Sequence, residues 1–195
     1  MSEKEKMLAQ KLYDATDARL EAERIKAKDL CYDFNHLRPS QAKTGQAVLK
    51  QLLGQTQANF TITAPFWCDY GYNISLGENF YANHNLTILD GAKVTFGNNV
   101  FIAPNCGFYT AGHPIDTNRR NLGLEYAYPI TVGDNVWIGG GVQVLPGVTI
   151  GSNVVIGSGS VVTKDIPDNC VAVGNPCKVI RPITDADLTR NYDLT

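Results

Sequence analysis

Among the groups that could move a proton at neutral pH, one histidine stands apart by its setting. His113 lies in "FYTAGHP", where an otherwise monotonous stretch of sequence breaks off. A free imidazole titrates near neutrality, so it can take the proton of a hydroxyl that attacks a carbonyl. The other two histidines, His36 and His84, are far from it in sequence. Metal-assisted hydration would need about three histidines around one zinc ion. Position 118, where a spaced partner for His113 could stand, is Asn118, so no metal is expected. Cys106 is near His113, but it falls at a core position of the repeat described next and is not expected to act as a nucleophile. Lys164, Lys178 and Arg181 cluster toward the C-terminal end. A lysine can serve as a point charge for a phosphate, and an arginine can bind two of its oxygens.

The repeat supplies the positioning. From Val132 the chain divides into hexads: VGDNVW, IGGGVQ, VLPGVT, IGSNVV, IGSGSV, VTKDIP. Each begins with Val or Ile, and glycine follows in four of the six, so an aliphatic side chain points inward beside a small one. Turn-prone pairs such as Asp134-Asn135 and Ser152-Asn153 come next. The same frame appears as LGENFY, ANHNLT and ILDGAK from Leu76, slips by two residues, and resumes as FGNNVF and IAPNCG from Phe96. Neither a helical period nor strict alternation fits. Short strands joined by tight corners do, with Gly or Asn supplying unusual backbone angles. Three hexads make one triangular coil of roughly 18 residues, and coils stack at about 4.8 Å. The expectation is an all-β solenoid, a parallel β-helix in which each coil is stabilised mainly by its neighbours. Between Cys106 and Pro129 the frame is lost, as when a solenoid inserts a loop at a corner.

Flanking segments and composition narrow the rest. Apolar residues at helical spacing predict a helix over residues 3 to 30. A second is expected to open at Pro39-Ser40 and run to "LKQLLG", capped by Gly54. Three parts follow: a helical segment over 1–56, a β-helix over 57–183 with a protruding loop at 107–129, and a polar tail over 184–195. The formal net charge is −2, which argues against nucleic acid. No run of 18 apolar residues exists, so no membrane span is expected. "MSEKEKMLAQ" has no apolar signal core, and Cys31, Cys68, Cys106, Cys170 and Cys177 are odd in number without CxxC spacing. Both features point to a cytoplasmic protein with reduced, buried thiols.

"CYDFNHLRPS", "DYGYNISLG", "NFYANHNLTILD", "APNCGFYTAGHP", "PITVGDNVWIGG", "VVTKDIP" and "GNPCKVIR" occur in order. Over roughly residues 5 to 183 the chain resembles the maltose and galactoside O-acetyltransferase branch of the hexapeptide-repeat acyltransferases. The resemblance implies a left-handed coil, against the usual crossover hand. It implies acetyl-CoA as donor, a sugar hydroxyl as acceptor, and direct transfer without an acyl-enzyme. His113 would be the general base and Asn83 the oxyanion donor. Asp14 (with Asp17 as a competitor), Asp69, Tyr81, Asn83 and Glu125 would hold the acceptor; Glu125 could instead orient His113. Gly140, Ser158, Thr163, Lys164, Lys178 and Arg181 would contact the donor, with Trp137 either walling that groove or packing. His36 and His84 are expected to have no catalytic part. The galactoside kind tends to carry a second acid after Asp90, and here Gly91 follows, so a glucose- or maltose-type acceptor is expected. A galactoside or another small hydroxyl-bearing acceptor is the alternative, and a non-enzymatic β-helix the rival of another class. The resemblance further implies a homotrimer, with His113 of one subunit facing the donor groove of its neighbour.

Overall fold

Hydrogen bonds between successive coils build three parallel sheets, the faces of a prism of about six turns. The computed structural model describes residues 1–189; residues 190–195 of the expected tail lie outside the described residues. Face one stacks Gln55–Thr56, Ile74–Leu76, Val94–Phe96, Ile130–Val132 and Thr149–Ile150. Face two stacks Phe60–Ile62, Phe80–Ala82, Phe101–Ile102, Val136–Ile138, Val154–Ile156 and Cys170–Val173. There Lys178–Pro182 adds an antiparallel strand against Cys170–Val173. Face three stacks Phe66–Cys68, Leu86–Leu89, Gly107–Tyr109, Gln143–Val144 and Val161–Val162.

The hexad chemistry accounts for the coil. Both the first and the fifth residue of every hexad from Val132 onward are buried. They form columns such as Ile62–Ala82–Ile102–Ile138–Ile156–Ala172 along face two. At the fourth position the chain turns through left-handed backbone, with φ of 57° at Asn135 and 54° at Asn153. Asparagine tolerates this angle better than most residues. It also gains by stacking: Asn79 Nδ2 donates to Asn99 Oδ1 (3.0 Å) and Asn99 Nδ2 to Asn135 Oδ1 (3.1 Å). Glycine at the second position answers to a different constraint. A Cβ on Gly133 would lie 2.5 Å from Ser152 Oγ in the next coil.

The N-terminal segment departs from the expected helix over 3–30. Helix α1 (Glu3–Leu8) ends early, Gln10 adopts a φ of 58°, and Tyr13–Asp14 is a short strand before helix α2 (Ala18–Asn35) begins. Helix α3 (Ala42–Leu52) follows a 3-10 turn at Pro39–Gln41 and ends at Leu53 in extended backbone, so Gly54 is not its cap. Glycine is needed at 54 because a side chain would run into the carbonyl of Tyr72. Ala27, Cys31 and Phe34 of α2 and Leu49 and Leu52 of α3 join the prism core. Asn35 exchanges two hydrogen bonds with the backbone of Phe66 (2.8 and 2.9 Å). The helices therefore close the open end of the solenoid, where unpaired strand edges would otherwise be exposed. The break in the frame is a loop that supplies two strands of a fourth sheet, in which Leu124–Ala127 pairs antiparallel with Ala111–Gly112 on one side and with Tyr13–Asp14 of the N-terminal segment on the other. Helix α4 (Thr117–Asn121) caps its tip. Among the described residues, no helix is long and apolar enough to cross a membrane.

Candidate active site

His113 directly follows the short strand Ala111–Gly112, at the edge where face three turns into face one. Its Nδ1 lies 3.0 Å from the carbonyl oxygen of Leu124. A carbonyl can only accept, so Nδ1 carries the hydrogen and Nε2 keeps its lone pair. About half of the side chain is exposed (51 %), and Nε2 is 3.9 Å from Glu125 Oε1. The other Glu125 oxygen accepts from the Tyr13 hydroxyl at 2.7 Å. Tyr13 is fully buried. Burial, and then the adjoining Glu125 carboxylate, push its hydroxyl far above the usual tyrosine range, so it stays a neutral donor. The N-terminal strand thus holds the carboxylate that faces the imidazole, across 112 residues of sequence.

Asp14 and Asp17 have different duties. Asp17 caps α2, accepting from the backbone of Arg19 (3.1 Å) and Leu20 (3.2 Å). Asp14 pairs in register with Leu124, the residue whose carbonyl holds His113. The Thr16 hydroxyl (2.7 Å) and backbone N–H (2.8 Å) bind its Oδ1 and hold the carboxyl below its usual value. Asp69 lies on the same edge, and its carboxylate has no hydrogen-bond partner among the described residues. Burial raises its pKa, while Arg24 pulls the other way and Glu125 adds to the rise.

Asp90, the residue before Gly91, anchors this edge. It is fully buried and accepts from the backbone of Asp69 (3.1 Å), Tyr70 (2.8 Å) and Asn73 (3.3 Å). Burial pushes its carboxyl up to about 7. The folded state therefore keeps this proton to higher pH than the unfolded chain does. The associated stability is complete below the unfolded value near 4 and is lost as pH rises through about 7. Asp90→Asn cannot titrate. In thermal melts its stability relative to the parent protein is expected to improve by about 2 kcal/mol between pH 5 and pH 8. A pH-independent difference would refute the assignment.

The edge between faces two and three carries a second set. Asn83 Oδ1 accepts from the His84 N–H (2.8 Å), which leaves Nδ2 as the donor of that side chain. Above it the corners climb by backbone bonds, His84 O from Asn105 N–H (2.9 Å), Pro104 O from Gly141 N–H (2.9 Å) and Gly140 O from Gly159 N–H (2.8 Å). A Cβ on Gly140 would meet nothing closer than 3.5 Å. The fold does not demand glycine there, and its absence of a side chain leaves the groove open. Ser158 is exposed one coil further, and Lys178 begins the strand paired with Val173 beyond it. Along face two, the strand of Lys178 is five strand spacings from the strand that precedes Asn83, roughly 24 Å. Tyr81 is on face two, registered with Phe101 and through it with Trp137, and all three are exposed.

The remaining predicted residues are elsewhere. Thr163 and Lys164 sit on the His113 edge, one face away from Ser158. Arg181 lies on face two in a bidentate pair with Asp187 (2.7 and 2.8 Å). His36 stacks on Tyr32, with ring centroids 3.9 Å apart, and bonds its carbonyl. Cys106 is buried against the Gly139 carbonyl, and burial pushes its thiol up, away from nucleophilic use. Among the described residues no three His, Cys, Asp or Glu side chains gather as a metal site. One chain therefore assembles His113, Glu125, Asp14 and Asp69 on one edge, and Asn83, Gly140, Ser158 and Lys178 on another. Face three lies between them, roughly 15 Å of extended backbone.

Residues 6–57 match the maltose acetyltransferase hexapeptide capping motif, and residues 129–164 match six repeats of the bacterial transferase hexapeptide. A putative acetyltransferase of Saccharomyces cerevisiae is 58 % identical over 190 residues, covering 96 % of this chain and 97 % of that protein. The crystal structure of a maltose O-acetyltransferase from Clostridium difficile 630 superposes with a TM-score of 0.93 at 53 % identity, covering 94 % of this chain and 98 % of that one. A galactoside acetyltransferase in complex with coenzyme A gives 0.94 at 46 %, covering 98 % and 96 %.

Proposed function

Since the chain belongs to the maltose and galactoside O-acetyltransferase branch of the hexapeptide-repeat acyltransferases, left-handed β-helix enzymes that use coenzyme A, we propose that it acetylates a hydroxyl of a glucose- or maltose-type sugar, with His113 as general base. The observation that carries this reading is the imidazole itself. Its Nδ1–H is tied to the Leu124 carbonyl and its Nε2 is left bare and accessible. As the acceptor oxygen bonds to the thioester carbon, its proton passes to Nε2. The imidazolium that forms faces Glu125, whose charge favours it. Asn83 Nδ2 donates to the oxyanion of the tetrahedral intermediate. The carbon–sulfur bond then breaks, and the thiolate recovers the proton from Nε2. Holding both substrates side by side supplies much of the rate.

Asn83 and His113 are on different edges, so the site is completed by a second copy, in a threefold ring where the His113 edge of one chain meets the Asn83 edge of the next. The exposed row Tyr81, Phe101 and Trp137 suits burial against such a neighbour. The donor arm follows the Gly140–Ser158 groove toward Lys178, with Thr163, Lys164 and Arg181 as further contacts at the phosphate end. Asp69, Asp14 and Tyr81 bind acceptor hydroxyls; the unpartnered Asp69 carboxylate is suited to receive one. A side chain at Gly91 would press within 3.3 Å of the Tyr13 hydroxyl and 3.2 Å of Ala127. Glycine at 91 thus answers to the packing of Tyr13 and Ala127, and the glucose-type preference rests on the resemblance alone. Thiol release from acetyl-CoA, measured with glucose, maltose, a galactoside, serine and an aryl alcohol, tests the reading. Glucose and maltose are expected to give the highest kcat/KM. Release only with the non-sugar acceptors would overturn it.

A further inference from the structure

The two-residue strand Tyr13–Asp14 reaches both sides of the His113 imidazole. Asp14 is registered opposite Leu124, whose carbonyl holds Nδ1, and Tyr13 opposite Glu125, which faces Nε2. The Glu125 side chain is a quarter exposed (25 %), and the last torsion of a glutamate is broad. Nothing in the carboxylate itself decides where its oxygens point. Among the described residues, the Tyr13 hydroxyl is the one hydrogen-bond donor to it, on Oε2. Arg24, the nearby cation, donates instead to the Tyr70 hydroxyl (2.8 Å) and the Ala15 carbonyl (2.6 Å). The Tyr13 ring is fixed in turn. It packs with Met7, Leu20, Tyr70, Ala92 and Ala127, which come from two helices, the prism and the loop.

We propose that Tyr13 is a positioning residue for acetyl transfer, its hydroxyl holding Oε2 of Glu125 so that Oε1 faces Nε2 of His113. This rests on the reading of His113 as general base. Tyr13 is buried and acts only through Glu125. A hydrogen bond to a carboxylate is roughly twice as strong as one between neutral groups. It is stronger still inside a core than in water. The charge that favours the imidazolium is therefore in place before the proton moves, and no part of the barrier goes to turning it.

Tyr13→Phe keeps the ring in its slot and removes the hydroxyl alone. With saturating acetyl-CoA and the best acceptor of the panel above, kcat is expected to fall roughly tenfold. KM for the acceptor and affinity for coenzyme A should stay within about twofold of the parent protein. Glu125→Ala should fall at least as far, and adding Tyr13→Phe to it should change kcat no further. A merely structural role would lower kcat by the same factor in both backgrounds. Glu125→Gln supplies a test of opposite sign. Its amide oxygen would accept from Tyr13, which turns the amide N–H toward Nε2 and blocks the lone pair. It should be slower than Glu125→Ala, and adding Tyr13→Phe, which lets the amide flip, should raise kcat several-fold. The comparison of Glu125→Gln with Glu125→Ala decides the matter even if Tyr13→Phe does not fold. Parental kcat in Tyr13→Phe, an equal loss in the Glu125→Ala background, or Glu125→Gln no slower than Glu125→Ala would overturn the proposal. The base reading fails on a different variant, His113→Ala, so the two failures are told apart.

Discussion

His113→Ala is expected to lower kcat for acetyl transfer by roughly 10²–10⁴-fold, the usual range for loss of a positioned general base. The melting temperature should stay within a few degrees of the parent protein. The side chain is half exposed at the rim of the prism and belongs to neither hydrophobic core. Its one backbone bond, to the Leu124 carbonyl, is exposed, so water can replace it. Coenzyme A affinity should also persist, because the role assigned to His113 is to take the acceptor's proton and not to contact the donor. A fall in turnover without a fall in donor affinity separates a chemical role from a structural one. The measurement is thiol release under saturating acetyl-CoA and acceptor, beside a calorimetric titration of coenzyme A. Turnover within a few-fold of the parent protein would end the assignment of His113 as base.

The prism was legible because its rule is local. A hexad states its inward residues, its corner and its small residue within six positions, and stacking repeats the statement. Even the edge a residue occupies follows from the period. Gly140 and Ser158 are three hexads apart and share an edge, whereas Lys164, one hexad beyond Ser158, falls on the next. Other features were not legible because their cause is distant. Tyr13–Asp14 is a strand only because Leu124–Ala127 offers it an edge, and a window over residues 3–30 contains no trace of that partner. The same pairing separates Asp14 from Asp17, which sequence spacing alone left interchangeable. Asp90 sits in a turn-like "DGA", and nothing nearby announces that three backbone N–H groups from an earlier coil converge on it.

Two inactive variants are expected to repair each other. Asn83→Ala should lose about 10²–10³-fold in kcat, as when one oxyanion donor is removed, and His113→Ala at least as much. If each site takes its imidazole from one chain and its amide from the next, trimers mixed from the two variants regain intact sites. Such a site forms wherever an Asn83→Ala chain presents its imidazole to a His113→Ala neighbour. In every trimer that contains both variants it holds at one interface of the three, so the specific activity of the doubly purified sample should climb to about a third of the parent protein's. Co-expression with two affinity tags, followed by purification on both, provides the sample. If His113 and Asn83 of one chain acted together, every chain in the mixture would carry one defect and no activity would return. The geometry favours the first outcome. Face three keeps the two groups roughly 15 Å apart within a chain, and the stacked coils of a stiff prism cannot fold one edge onto another, whereas a neighbouring copy brings the two edges face to face without moving either.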